Sequence, residues 1–360
     1  MTGRSKMILG GIAAGTIVAG AAAAIGSVLA GRKAYGKWRD WQGIAFGGEN
    51  LHGQTVLITG SSRGLGLALA EEFARAGCNI ILCARDEAAL HRARALVERH
   101  GVNVATYPCD VSKQNQVEHM ITFAQERFGQ VDILVNNAGS IAVGPVRTQR
   151  LEDFQEAMDT MFWGAVYPTL ALLPQMISRR RGKIVNVTSI GGRVSVPHLL
   201  PYSCAKFAHV GFSEGLHSQL KKFGIHVLTV VPGLMRTGSH LHAQFKGDHQ
   251  KEFGWFALSG TNPLLSVSAE TAARRIVSAT RRNQTDLVLG WQAKTLAHAH
   301  GIAPGITQDV LAIVDRMLPE SDDRMSQKKP GHESHSAVTR SPLTALGKRA
   351  ARRFNQVESA

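Results

Sequence analysis

Thr55-Val56-Leu57-Ile58-Thr59-Gly60-Ser61-Ser62-Arg63-Gly64-Leu65-Gly66 is the stretch on which the reading of the whole chain turns. Five β-branched or apolar residues run into a glycine-bearing turn, and an Ala/Leu-rich run follows to Ala76. A strand that is apolar throughout, rather than alternating, is one buried on both faces of a parallel sheet. The glycines permit a tight turn and let a pyrophosphate approach the backbone N–H groups at the helix N-terminus, where the helix dipole favours an anion. That makes Gly60, Ser62, Arg63, Gly64, Leu65 and Gly66 candidate phosphate-loop residues. Three glycines at these offsets after a Thr would arise by chance about 0.02 times in this composition. A purely structural turn is the plainer alternative.

Working outward, the pattern repeats. Asn79–Ala84, 102–107, 131–135, 183–188 and 226–231 are further apolar runs with helical stretches between them, and 286–289 can add a late strand. Strands alternating with crossover helices predict an α/β fold: a doubly wound parallel sheet in three layers, α/β/α, with its ligand crevice at the carboxyl ends of the strands. Dinucleotide folds that take NAD often end the second strand on a carboxylate for the ribose hydroxyl. Here that position reads Ala84-Arg85, and Arg63 stands in the glycine loop. Two guanidiniums suit a 2′-phosphate, so the expected cofactor is NADP rather than NAD. Asp86, one residue further on, is the alternative ligand for a ribose hydroxyl, but it reads more naturally as the N-cap of the next helix.

From Leu51 to Pro319 the chain resembles the short-chain dehydrogenase/reductase family, in its single-domain form with TGxxxGxG and YxxxK motifs. The resemblance rests on the glycine loop, on Asn136-Asn137-Ala138-Gly139 after the fourth strand, on Ser189 after the fifth and on Tyr202-Ser203-Cys204-Ala205-Lys206. Pro232-Gly233 after the sixth strand, with Thr237 nearby, completes it. A YxxxK alone would occur by chance about 0.16 times; all five elements in order are far more specific. The resemblance implies a Rossmann-type fold and a hydride-transferring oxidoreductase. It further implies Asp110 and Val111 beside the adenine, Asn136, Asn137, Ala138 and Gly139 at the cofactor floor, and Pro232, Gly233 and Thr237 on the nicotinamide side.

The residue types fit that chemistry. Hydride transfer to a carbonyl needs a matched proton transfer, and a phenol with an ordinary pKa near 10 is a poor base at neutral pH. Lys206 lies one turn after Tyr202 on the same helix face, where its ammonium can stabilise a phenolate. Ser189 has the family's spacing for a hydroxyl that orients the substrate oxygen. The catalytic candidates are therefore Ser189, Tyr202 and Lys206, with Tyr202 and Lys206 also expected at the cofactor. An amphipathic surface pair is the bland alternative for the last two. One position departs from the family: Met161 stands where a relay Asn, three residues before Gly164, is common. No Asn occurs between Leu151 and Arg181. A nucleotide-binding scaffold or redox sensor without turnover is the competing reading.

The remainder divides the chain into three: 1–50, a hydrophobic segment and linker; 51–319, the catalytic domain; 320–360, a basic polar tail. Residues 8–30 are 23 uncharged residues, followed by Arg32, Lys33, Lys37 and Arg39 with Tyr35, Trp38 and Trp41 interleaved. Length and flanks point to a transmembrane anchor, with the positive side placing the catalytic domain in the cytoplasm. A cleaved signal peptide and a soluble helix are the alternatives. The net charge of +14 falls half on the two ends, where a membrane surface accounts for it better than nucleic acid does. Four cysteines without CxxC spacing argue against a disulfide framework. His240, His242 and His249 lack a metal-ligand framework, so no metal is expected. Phe245, Phe253, Trp255 and Phe256 in the segment 234–265 suggest a lipophilic carbonyl or alcohol substrate, unless they pack on the domain itself. The stretch after Pro319 reads as flexible. Leu343, Leu346, Ala350, Phe354 and Val357 then mark one helix face opposite Lys348, Arg349, Arg352 and Arg353, for a membrane surface or, more plainly, for solvent or the enzyme body. Whether the chain self-associates as a homo-oligomer stays open.

Overall fold

The computed structural model describes residues 48–321, 327–336, 339 and 344–357. The candidate anchor, residues 8–30, and Leu343 lie outside them. Among the described residues no helix is long and apolar enough to cross a membrane.

Seven parallel strands form the central sheet: β1 Thr55–Thr59, β2 Asn79–Ala84, β3 Val104–Pro108, β4 Ile133–Asn136, β6 Gly182–Val187, β7 Ile225–Pro232 and β11 Asp286–Leu289. Their order is β3-β2-β1-β4-β6-β7-β11. The direction of winding reverses between β1 and β4, which opens a crevice at their carboxyl ends. β1 is buried along its whole length, as its unbroken apolar run requires. Helices α1 Gly64–Arg75, α2 Glu87–Glu98 and α8 Ala269–Arg281 cover one face of the sheet, and their Leu, Ala and Phe side chains share one core with β1 and β2. On the other face α3 Gln114–Phe128, α5 Gly164–Ser178 and α6 Leu200–Leu220 pack over a second core. This is the three-layer α/β fold expected. Strand ends differ from the sequence reading by one or two residues, the usual uncertainty where pairing rather than composition sets the boundary.

Between α4 Leu151–Met158 and α5 the backbone forms a π-helical turn over Asp159–Trp163, which carries Met161. After β7 the chain leaves the sheet. β8 Leu234–Arg236 pairs with β10 Ser266–Ser268, and β9 Gln244–Phe245 pairs with both β5 Ala142–Val143 and β12 Lys329–Pro330. Helix α7 His249–Thr261 lies over these pieces; α9 Trp291–Ile302 and α10 Pro304–Asp315 follow β11.

The polar stretch after Pro319 is not loose where it is described. Lys328 reaches Asp153 at 2.9 Å and Glu156 at 2.5 Å, and α11 Ala345–Arg353 docks on the domain. The buried stripe of α11 is Gly347, Ala351 and Phe354, while Leu346 and Val357, expected on the apolar face, are exposed. Small residues are needed there because the helix packs backbone to backbone: a Cβ on Gly238 would lie 2.5 Å from the Ala351 Cα. Phe354 joins the core of β1, α1 and α8. The globular unit therefore includes the chain's last helix rather than ending near residue 319.

Candidate active site

A cavity of about 510 Å³ opens at the carboxyl ends of β1, β2, β4 and β6. Gly60, Ser62, Arg63, Gly64, Leu65, Gly66, Arg85, Asp110, Val111, Asn137, Ala138, Gly139, Tyr202, Lys206 and Thr237 line it. Sequence positions spread over some 180 residues are thus brought to one crevice. Its floor is stitched by Thr59: the Oγ1 accepts from the backbone N–H of Asn137 at 3.0 Å and of Ala138 at 3.1 Å. The Asn137 side chain donates in return to the carbonyls of Thr59 and Gly60, each at 3.0 Å. A Cβ on Gly66 would lie 2.2 Å from the Gly60 oxygen, so only glycine lets the helix start this close to the strand end. The cradle fits an extended diphosphate at the N-terminus of α1, although the first amide of that helix, Gly64 N–H, is already bonded to the Phe354 carbonyl.

At the second strand's end Arg85 is exposed on the cavity rim. Arg63 is engaged differently, bonding Asp86 at 3.0 Å and touching the His242 ring at 3.0 Å. Asp86 is the N-cap of α2, accepting from the Ala89 N–H at 2.9 Å. It makes both of these bonds at the cavity wall, next to Arg85.

The other end of the cavity holds the titratable cluster. Lys206, 4% exposed, donates to the Val187 carbonyl at 2.9 Å and lies 5.9 Å from the Tyr202 ring centroid. Ser189 follows β6 and accepts from the Gly191 N–H at 3.0 Å. It stands beside Tyr202 without itself lining the cavity. A Cβ on Gly192 would lie 2.5 Å from the Lys206 carbonyl oxygen, so glycine lets the loop press against α6 and hold Ser189 there. Burial raises the Tyr202 phenol above its ordinary value, opposed by its hydrogen bond with Ser189. Burial alone lowers Lys206 to about 8. The loop leading into α6 is clamped from outside: His198 Nδ1 contacts the fully buried Glu252 at 2.8 Å, and Trp255 Nε1 donates to the same carboxylate at 2.7 Å.

Several expectations land elsewhere. Asn136 does not line the cavity; it is buried beneath it, donating to Thr169 at 3.0 Å and to Asn186 at 2.8 Å. Asn186 continues to Ser213 at 2.9 Å, and Ser213 to Thr229 at 2.7 Å, a polar chain tying β4, β6, α6 and β7. Pro232 and Gly233 also lie off the cavity, Gly233 facing Ala293 of α9. Phe245 and Phe253 are buried with Phe256 and Trp255 packed against them, so these aromatics form a core of their own. Met161 is buried against Ala205 and Tyr202 and offers no group that could hold a relay water strongly. Among the described residues no cluster could hold a metal ion. All four cysteines are free, with only Cys204 exposed. The sequence reading missed His242, Met235 and Gln356 at the cavity; only the fold brings them there.

Residues 54–245 match the family described as short chain dehydrogenase. A dehydrogenase/reductase SDR family protein 7-like of Anopheles gambiae is 32% identical over 265 residues, 71% of this chain and 81% of that protein. The fatty acyl-CoA reductase of Acinetobacter baylyi is 34% identical over 191 residues, 52% of this chain. That match spans 65% of the reductase, just under two thirds of its length. Among solved structures, the L-sorbose reductase of Gluconobacter frateurii, complexed with NADPH and L-sorbose, superposes with a TM-score of 0.59. It is 28% identical, covering 67% of this chain and 96% of its own. The chain belongs to the short-chain dehydrogenase/reductase family and is an oxidoreductase.

Proposed function

We propose that the protein is an NADP-dependent reductase of a lipophilic carbonyl compound, able to run in the alcohol-oxidising direction. The observation that carries this reading is the meeting of Tyr202, Lys206 and Ser189 at one end of a cavity whose other end holds the glycine loop and Arg85. The NADPH complex of the L-sorbose reductase supports the cofactor; so does the Arg85 guanidinium at the end of the second strand, where the neighbouring Asp86 is engaged with Arg63.

The roles follow from the geometry. A bound reduced nicotinamide supplies the hydride. Tyr202, a phenol whose pKa burial raises further above neutral pH, gives its phenolic proton to the substrate oxygen as charge develops there. Ser189 donates a hydrogen bond to the same oxygen and fixes its position. Lys206 as an ammonium stabilises the phenolate left behind, and its bond to the Val187 carbonyl holds it beside the ring. Buried Met161 is the observation that favours the second reading, a scaffold that binds nucleotide without turnover.

For the substrate, the support is the fatty acyl-CoA reductase relative; the small recess beyond Tyr202 is mixed, with Ile141, Ala157, Met161 and Pro201 meeting Asp153, Glu156 and Lys328. We assign the hydrophobic residues 8–30 to a membrane anchor that holds the catalytic domain on the cytoplasmic side. The test is NADPH oxidation by the full-length protein with aldehydes and ketones of increasing chain length. Turnover that improves with chain length is expected. Tight NADPH binding with no turnover on any of them would leave the scaffold reading. For the anchor, full-length protein should sediment with membranes and a chain beginning at Asn50 should not.

A further inference from the structure

The cofactor crevice is spanned by the end of the chain. Helix α11 stops in a reversal in which the Gln356 N–H bonds the Ala351 carbonyl at 2.9 Å and Asn355 takes a φ of 54°. This is the Schellman form of helix end, with Asn in the left-handed position that it tolerates better than most residues. The reversal aims residues 354–356 across the glycine loop. The Gly64 N–H donates to the Phe354 carbonyl at 2.9 Å, and the Asn355 side chain donates to the Ser62 carbonyl at 2.8 Å. On the opposite bank the Gln356 side chain donates to the Thr237 carbonyl at 3.1 Å, and its own carbonyl meets His242 Nε2 at 2.8 Å. Four polar contacts tie the strap to both sides of one groove.

Gln356 itself is only 5% exposed and lines the cavity, and its Oε1 has no hydrogen-bond partner. The orientation of the amide is settled by its neighbour: the Thr237 carbonyl can only accept, so the atom facing it is the NH₂ and the unpartnered atom is the oxygen. A buried acceptor without a donor costs about 1–3 kcal/mol, so such groups are normally met by a ligand or ordered water. The missing partner must therefore donate. The phosphates of a dinucleotide cannot, but its ribose hydroxyls and carboxamide can. The amide donates to the Thr237 carbonyl, and a Cβ on Gly64 would lie 2.9 Å from its nitrogen, so it stands between the edge of the glycine loop and the Thr237 bank of the cavity.

We propose that Gln356 is a cofactor-binding residue, and that residues 354–356 form a clasp in which its Oε1 accepts a hydrogen bond from the nicotinamide-ribose half of the bound dinucleotide. This rests on the NADP reading above. The clasp links cofactor retention to the docking of α11: the dinucleotide holds the strap closed, and the strap holds the dinucleotide.

The test compares two probes on full-length protein by fluorescence titration, NADPH and the half-molecule 2′,5′-ADP. Gln356→Ala should weaken NADPH about three- to tenfold, the range of one neutral hydrogen bond, and leave 2′,5′-ADP unchanged. Gln356→Met, which keeps the packing without an acceptor, should do the same, so any loss of fold in the Ala variant, read from the melting of cofactor-free protein, does not decide the outcome. Equal weakening of both probes, no change in either, or tighter NADPH binding, as expected if the strap were a plug, would each overturn the clasp. Failure of the unaltered protein to bind NADPH while it binds NADH would instead overturn the cofactor assignment.

Discussion

The floor of the cavity, residues 54–139 and 182–206, and its roof, drawn from residues 234–262 and 345–357, are both well packed but are assembled in different ways. The floor is made by consecutive strand–helix units whose contacts are set within each unit and its neighbour in the sheet. The roof closes by contacts between residues remote in the chain: Arg353 meets Glu71 at 2.8 Å, and Asn355 meets Ser62. Its helix uses small residues to approach Gly238 and sends Phe354 into the main core. The floor thus places the chemistry, and the roof decides how tightly the crevice is shut. Because loop-closure entropy grows only slowly with length, a distant segment can serve as a wall once its docking face is good enough.

Breaking the floor at its chemical end should have the largest effect. Tyr202→Phe removes the proton donor while leaving the ring among Ala205 and Met161, so carbonyl reduction should fall about 10²- to 10⁴-fold. NADPH affinity, measured on the same protein, should change far less than the rate. A loss confined to affinity, with the rate at saturating NADPH kept, would make Tyr202 part of the binding floor rather than the reacting group. Breaking the roof should act on stability instead. Phe354→Ala should lower unfolding free energy by about 3–5 kcal/mol in denaturant melts, whereas Val357→Ala, three residues on and exposed, should stay within about 0.5 kcal/mol. If the two cost the same, the last helix is not part of the core.

The same contrast explains what the sequence made legible. The strands announced themselves because residues buried on both faces must be apolar throughout, and the glycine loop because close backbone approach tolerates no Cβ at Gly66. Tyr202 and Lys206 were readable because a helix fixes their separation. Asn136 was misplaced by one residue's turn of the strand: the adjacent Asn137 faces the cavity while Asn136 points into the polar chain below. The aromatics at 245–256 were read as substrate contacts because composition does not say which side of a segment is covered. The stripe on α11 was misread for a related reason. Leu346 looks more apolar than Gly347, but the partner surface around Gly238 and Thr261 admits only the smaller residue.

The 2′-phosphate assignment separates the banks of the floor. With Arg63 already held by Asp86 and His242, Arg85 is left to meet the added charge. Arg85→Asp should weaken NADPH about ten- to a hundredfold, the range of a charged hydrogen bond, with NADH little affected. Equal losses would place the phosphate elsewhere.

The smallest effect is one of pH, and it tells chemistry from folding because the two run in opposite directions. Burial sets Lys206 near about 8, so its ammonium is lost as pH rises through that value. If the ammonium steadies the phenolate, reduction should decline above about pH 8, by at most about tenfold per unit for a single titrating group. Stability should not decline with it. Between about 8 and the unfolded value near 10.4 the unfolded chain binds more protons at this lysine than the folded one does. The group's contribution to stability therefore rises with pH across that window. Activity falling while the melting temperature holds or climbs would identify Lys206 as the titrating group. Activity and melting falling together above pH 8 would assign the loss to unfolding rather than to Lys206, and a rate flat to pH 10 would show that the neutral lysine suffices.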